Sequence, residues 1–350
     1  DYNYLREMVI THVGLERGAV VELDYEIQTK VGFTPFVSDN VNLCESSPVK
    51  EVEVIVRVPK GAQLNYKLLN QPVGLTCKKS SKGDYDVYSW KSYNLDAISH
   101  EPMQSEGLAA YPALLFSTID LPSAFNYLKE NLTKSVVPDE SVKKLLATNE
   151  KGWAKVDLIK NYITSNINTY GVLPQLTGYR FRSPEAVWQS NGGSEGEKAI
   201  LLSEMLKLAG FNAQPVVAGY SHFLNQDVGT LCSFDKYWVK VELEGETRYF
   251  SAIDEHSKVP GQRVTIAIND DISKISLGKA IKPNLKFTLN ADLNISMEGK
   301  VAGTAKVLLN SFDDSKDVLK GIPSSEFTST KTVGAKDSIS YNITLINSKL

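Results

Sequence analysis

Apolar and polar positions divide this chain into three stretches by period. From residue 1 to about 120 the period is two. Ala19, Val21, Leu23, Tyr25 and Ile27 alternate with polar neighbours, and so do Val52, Val54, Val56 and Val58 before the turn Pro59-Lys60-Gly61. Alternation of this kind predicts strands with one buried face. Leu64–Leu69 and Tyr85–Tyr93 are further candidate strands, and the spacing predicts a β-sandwich over 1–120. Near Leu121 the period becomes helical. Helices are predicted over 122–131, 139–148 and 152–169, the last with Trp153, Val156, Ile159, Ile163 and Ile167 on one face. Ser183-Pro184-Glu185 marks another helix start.

The centre of the chain is Asn191–Phe211. A glycine turn, Asn191-Gly192-Gly193, leads into Ser194-x-x-Glu197, a capping box in which each side chain satisfies a free backbone donor at the other residue. Ala199, Leu202, Met205, Leu206 and Ala209 then recur at helical spacing, and Gly210 stops the helix. Strands are predicted over 213–220 and 237–253, with a hairpin turn at Glu244-Gly245-Glu246. Tyr237, Val239, Val241 and Leu243 share one face of the second run, and Lys236, Trp238 and Lys240 the other. The polar connection 221–235 has the length of a functional loop. Beyond Pro260 the period returns to two, with strands at 285–295, 301–309 and 341–345. The whole predicts an α+β multidomain chain: 1–120, an α+β core over 121–262, and a C-terminal β-sandwich-like domain over 263–350.

Composition narrows the function classes. The net charge is −3 with no long basic run, which does not favour nucleic-acid binding. No apolar run spans a bilayer, so no transmembrane segment is expected. The cysteines are Cys44, Cys77 and Cys232, with no C-x-x-C pair and no zinc-ligand spacing. A single disulfide is feasible, with Cys44–Cys77 the first choice. The chain opens at Asp1 with no signal-like stretch, which reads as a mature or truncated chain and leaves open the prior removal of an upstream targeting peptide.

The order of helices, glycine turn, "LLSEMLKLAGFNAQPVV" and "FDKYWVKVELEGETRYFSAID" resembles the transglutaminase-like superfamily, whose core is papain-like. The segments "GLERGAVVELDYEI", "VKEVEVIVRVPKG" and "YSWKSYNLDAI" resemble the β-domain that precedes such cores in bacterial envelope proteins. The resemblance implies a cysteine at the start of the central helix, a histidine on the neighbouring strand and an aspartate on the next. Matched residue by residue, Glu195 stands at the cysteine position, Lys236 at the histidine position and Asp254 at the aspartate position. A carboxylate is a poor nucleophile toward an amide, and a protonated lysine is no base. The three can pair charge, with Lys236 between two carboxylates. The plainer reading stands beside it: Glu195 as a first-turn acid and Lys236 as a solvated strand residue.

Other chemistry is thinner. The capping role of Ser194 accounts for it without a nucleophilic one. Cys232 reads as a small buried residue, or as half of a dyad with His222 or His256. Asp254, Glu255 and His256 are neighbours on an extended segment and point to opposite faces, which is poor metal-site geometry. The expectation is a non-catalytic binding or scaffolding module at the bacterial cell envelope, periplasmic or extracellular, with no cofactor and no metal. Its degenerate cleft would hold a peptide or glycan lined by Trp188, Trp238 and His222. The alternative is a diverged cysteine-type peptide-modifying enzyme, an amidase or protease.

Overall fold

The computed structural model describes residues 13–98, 111–132, 139–253, 263–277, 286–298, 300–310, 327–333 and 339–349, together with Val9, Thr11 and Ser135. The chain is mixed α+β, with five sheets among the described residues. The first part holds β1 (Ser38–Asn42), β2 (Val49–Pro59), β3 (Asn65–Leu69), β4 (Thr76–Lys82), β5 (Tyr85–Leu95) and β6 (Ala113–Ser117). They form two antiparallel sheets in the orders β1-β6-β3 and β2-β5-β4. Val56 and Val58 of β2, Tyr88 and Trp90 of β5, and Leu114 and Phe116 of β6 bury one shared core between the two sheets. Tyr66 meets Trp90 edge to face at 5.0 Å across it.

β6 is buried at all five positions, which explains its unbroken apolar run Ala-Leu-Leu-Phe. Leu114 and Phe116 face the core between the sheets. Ala113 and Leu115 face the other way and pack with Tyr220, Phe223 and Val228. A strand covered on both sides cannot alternate apolar with polar. The 221–235 connection is therefore a packed wedge between the first sheet and the centre, with Phe223, Val228 and Leu231 buried.

The segment 19–27 departs from its pattern. It lies in no strand, and Val21, Leu23, Tyr25 and Ile27 are exposed. Alternation marks a side chain's face only once a neighbouring strand supplies a sheet.

The centre comprises α1 (Leu121–Leu132), α2 (Glu140–Leu146), α3 (Gly152–Asn166), β7 (Asn168–Thr169), α4 (Pro184–Gln189), β8 (Gly192–Gly193), α5 (Glu195–Leu208), β9 (Asn212–Tyr220), β10 (Phe234–Leu243), β11 (Glu246–Ser251) and β12 (Arg263–Ala267). Helix α3 stops before Thr169, because Asn168 and Thr169 leave it to pair in parallel with Gly192 and Gly193. β9 to β12 make one antiparallel sheet, order β11-β10-β9-β12. Glu244 and Gly245 both take positive φ, the twist a two-residue hairpin turn needs. β10 turns Tyr237, Val239 and Val241 onto the helices, while Trp238 lies in a separate cluster with Val216 and Ala267. Because β12 pairs with β9, and Ile272 and Leu277 join the same core, the central unit runs past residue 262, where the sequence pattern ended it.

The described residues of the last part form a four-stranded antiparallel sheet, order β13-β14-β16-β15, of β13 (Lys286–Ile295), β14 (Lys300–Asn310), β15 (Phe327–Val333) and β16 (Ile339–Lys349). Among the described residues this part shows one layer, where the sequence pattern suggested two. Cys44, Cys77 and Cys232 are all free, so the Cys44–Cys77 bridge is not formed. Among the described residues no helix is long and apolar enough to cross a membrane.

Candidate functional site

The start of α5 is built by local sequence and then locked from a distance. Ser194 Oγ accepts the Glu197 N–H, and Glu197 Oε2 accepts the Ser194 N–H at 3.0 Å, completing the capping box. Glu197 is a fully buried carboxylate, and Arg182 satisfies it. Arg182 Nε donates to Glu197 Oε1 at 3.1 Å and Nη2 to Oε2 at 3.0 Å. The same guanidinium holds the glycine turn, donating to Gly192 O at 2.6 Å and to Ser190 Oγ at 3.1 Å. A Cβ on Gly192 would collide with the Tyr170 ring, so any larger residue there would have to displace that ring from the turn. Lys198, one turn into the helix, is buried. Its Nζ donates to Ile167 O at 2.7 Å and to Thr169 Oγ1 at 3.0 Å, and desolvation brings its pKa down to about 8.

Glu195 occupies the first helical position, and its Oε1 accepts the Tyr237 N–H of β10 at 3.1 Å. Burial raises the Glu195 pKa above the usual glutamate value. Lys236 and the Tyr237 N–H oppose that shift, Asp235 adds to it and Arg263 opposes it, and burial prevails. Lys236 therefore lies within electrostatic reach of Glu195, although no ion pair of Lys236 is found among the described residues. Asp254 lies outside the described residues, as do His12, His100 and His256.

The strong charge pair in this region is one the sequence reading missed. Arg263 of β12 donates to both oxygens of Asp235, from Nε at 2.8 Å and Nη2 at 2.7 Å. It also donates to the Tyr220 hydroxyl at 2.7 Å and lies 4.2 Å from that ring's centre. Only the pairing of β12 with β9 brings residues 28 apart in sequence together.

The proposed lining residues fall into three separate packing groups. Trp188 stacks on Tyr162 at 5.6 Å and donates its Nε1–H to Ser141 Oγ at 3.1 Å. Trp238 is buried with Val216 and Ala267 on the sheet face away from the helices. The His222 ring packs against Phe223 at 4.2 Å and Tyr220 at 5.7 Å, at the wedge. Shallow hollows among the described residues lie elsewhere. One of about 510 Å³ is on the C-terminal sheet at Asp292, Lys306 and Asn342; one of about 310 Å³ lies between α1 and the Asp270-Asp271 turn.

Cys232 sits in the short turn Leu231–Ser233 ahead of β10. Burial first, and then Asp39, push its thiol up to about 12. A reactive cysteine needs the opposite shift. Among the described residues no group of three His, Cys, Asp or Glu side chains is arranged to hold a metal ion.

Comparison with known proteins adds to this geometry. Residues 2–99 match the model of a family described as DUF3857, a domain of unknown function with solved structure. No curated protein matches the chain. Among solved structures, a protein of Parabacteroides distasonis described as a "putative protease" is similar at TM-score 0.61 and 22% identity, over 91% of this chain and 70% of that one. At that identity the likeness concerns the fold. A "putative cysteine protease" of Cytophaga hutchinsonii is matched over 62% of this chain and 78% of its own, at 13% identity and TM-score 0.28, a level that carries no argument.

Proposed function

We propose that this chain carries a papain/transglutaminase-like core that binds without catalysing, a module for holding or assembling a peptide or glycan partner at the bacterial cell envelope. The observation behind this reading is the occupant of the α5 N-terminus. Glu195 spends its carboxylate on the Tyr237 N–H, where amide chemistry would need a nucleophile and a base. Glu195 and Lys236 supply neither: a carboxylate attacks an amide poorly, and lysine needs deprotonation before it can take a proton. On this reading the core keeps its shape through the capping box, Arg182 and the wedge.

A second reading has a specific observation in its favour. The fold neighbour from Parabacteroides distasonis is described as a "putative protease", and taken alone that similarity leans toward a peptide-cleaving enzyme, which in this chain would be of the cysteine type. Cys232 would then have to be the nucleophile, against a thiol raised to about 12.

One experiment separates the two. The full chain is incubated with glutamine-containing peptides, and both hydrolysis and cross-linking to amines are followed by mass spectrometry, for the wild type and for Cys232→Ala. The binding reading expects no turnover in either. Turnover that disappears in Cys232→Ala establishes the enzyme instead.

A further inference from the structure

Residues 19–27 carry the pattern of a strand and join none. Val21, Leu23, Tyr25 and Ile27 are 50%, 61%, 78% and 81% exposed. Between them stand Glu22, Asp24 and Glu26, so an extended conformation here has one apolar and one acidic face.

The sheet β2-β5-β4 leaves both its edges open among the described residues. An open edge is a template for another strand. Charge distinguishes the two. On β2, Glu51, Glu53 and Arg57 pair with Tyr93, Lys91 and Val87 and so lie on the outward face of the sheet, where Lys91 of β5 bridges both carboxylates. A strand added there with its apolar side inward would set three acids beside two acids and one arginine, where β4 offers lysines and no acid, and like charges on neighbouring strands destabilise. On β4, Lys78 and Lys82 lie on that same outward face, opposite Ser89 and Tyr85 of β5. Every residue of β4 is exposed, and Cys77, Lys79 and Ser81 face inward at the uncovered fringe of the sandwich core.

We propose that residues 19–27 of a second copy of this chain add to β4 as an antiparallel strand. Glu22 then stands opposite Lys82 and Glu26 opposite Lys78, each pair four residues from the other on both strands. On the inner face Ile27 stands opposite Cys77, and Tyr25 opposite Lys79. Main-chain bonds supply affinity and the charge pairs fix the register. Within one chain both surfaces stand open together, and mutual exchange between two chains closes a two-fold pair without leaving either free.

The register gives a covalent test. In the full chain with Ile27→Cys, mild oxidation is expected to give a band at twice the 38.6 kDa chain mass, with the introduced thiol joined to Cys77 of the other copy. The wild type, whose Cys77 has no partner at that position, is expected to give no such band. A bond within a single chain, or no bond to Cys77, overturns the proposal. Sedimentation gives the second readout. Glu22→Lys with Glu26→Lys is expected to weaken dimerisation about tenfold or more. Adding Lys78→Glu and Lys82→Glu to that variant is expected to restore it. A monomeric wild type, or a fourfold variant no better than the double one, also overturns it.

Discussion

The Glu195 carboxylate accepts the Tyr237 backbone N–H at 3.1 Å, tying the first turn of α5 to the strand beside it. The contact is a hydrogen bond carried by a group whose burial disfavours its charge. The sign of the linkage follows. The folded-state pKa lies above the unfolded value, so the folded state holds the proton more tightly. Stability from this group is fully present below the unfolded pKa and is lost as pH rises through the folded one. Glu195→Gln keeps an oxygen for the Tyr237 N–H and removes the charge. It is expected to raise the melting temperature at pH 7 and leave it unchanged at pH 4. A loss at pH 7 would mean that pairing with Lys236 outweighs the cost of burial.

Arg182 joins the glycine turn to the capping box through Glu197, and Glu197 is fully buried. Removing one member of a buried pair strands the other charge. Arg182→Met is expected to lower unfolding free energy by about 3 kcal/mol. Urea denaturation at neutral pH measures it. A change within about 0.5 kcal/mol would show that the pair behaves as a surface contact.

Lys198 gives a slope in alkali. Its folded pKa is about 8 and its reference value 10.5, so between those limits the unfolded chain binds more protons. Stability is expected to rise with pH across that window relative to Lys198→Met. The variant also leaves Ile167 O and Thr169 Oγ1 without their donor, which lowers its stability at every pH. The test is therefore the difference in slope, read from denaturation curves at pH 7.5 and 10. Parallel curves would contradict it.

The three thiols are expected to alkylate in a fixed order. Cys77 is exposed on β4, Cys44 is buried with its thiol raised by burial, and Cys232 is raised to about 12. Iodoacetamide at pH 8, applied at a dilution where the chain is single, is expected to modify Cys77 first and leave Cys232 almost untouched until the protein unfolds. Mass mapping of the adducts reads the order, and early modification of Cys232 would reopen the enzyme reading.

The sequence was most legible where the forces are local. Ser194 and Glu197 lie three residues apart, so their reciprocal caps could be read directly, as could the Glu244-Gly245 turn. Tyr237 and Trp238 were placed on opposite faces by alternation alone. Arg182 was not found, because its partner lies 15 residues on and the pair forms only when α4 and α5 meet. Asp235 and Arg263 needed a strand pairing that no period announces. β4, Thr-Cys-Lys-Lys-Ser-Ser-Lys, has no apolar alternation because neither of its faces is covered. The segment 19–27 failed in the opposite sense, since its pattern is that of a strand and the missing ingredient is a neighbour. At the 221–235 connection length suggested a functional loop, while Phe223, Val228 and Leu231 make it a filler between layers.

The five residues Ala113–Ser117 serve as a party wall with a tenant on each side. Any excision that cuts the chain near residue 120 would strip Ala113 and Leu115 of the Tyr220, Phe223 and Val228 side chains and leave a raw oily surface on both fragments. Neither piece would then be a fair sample of the whole. Damage to the aromatic cluster around Trp90 would be felt at Val228, and heat would melt the two neighbours as one.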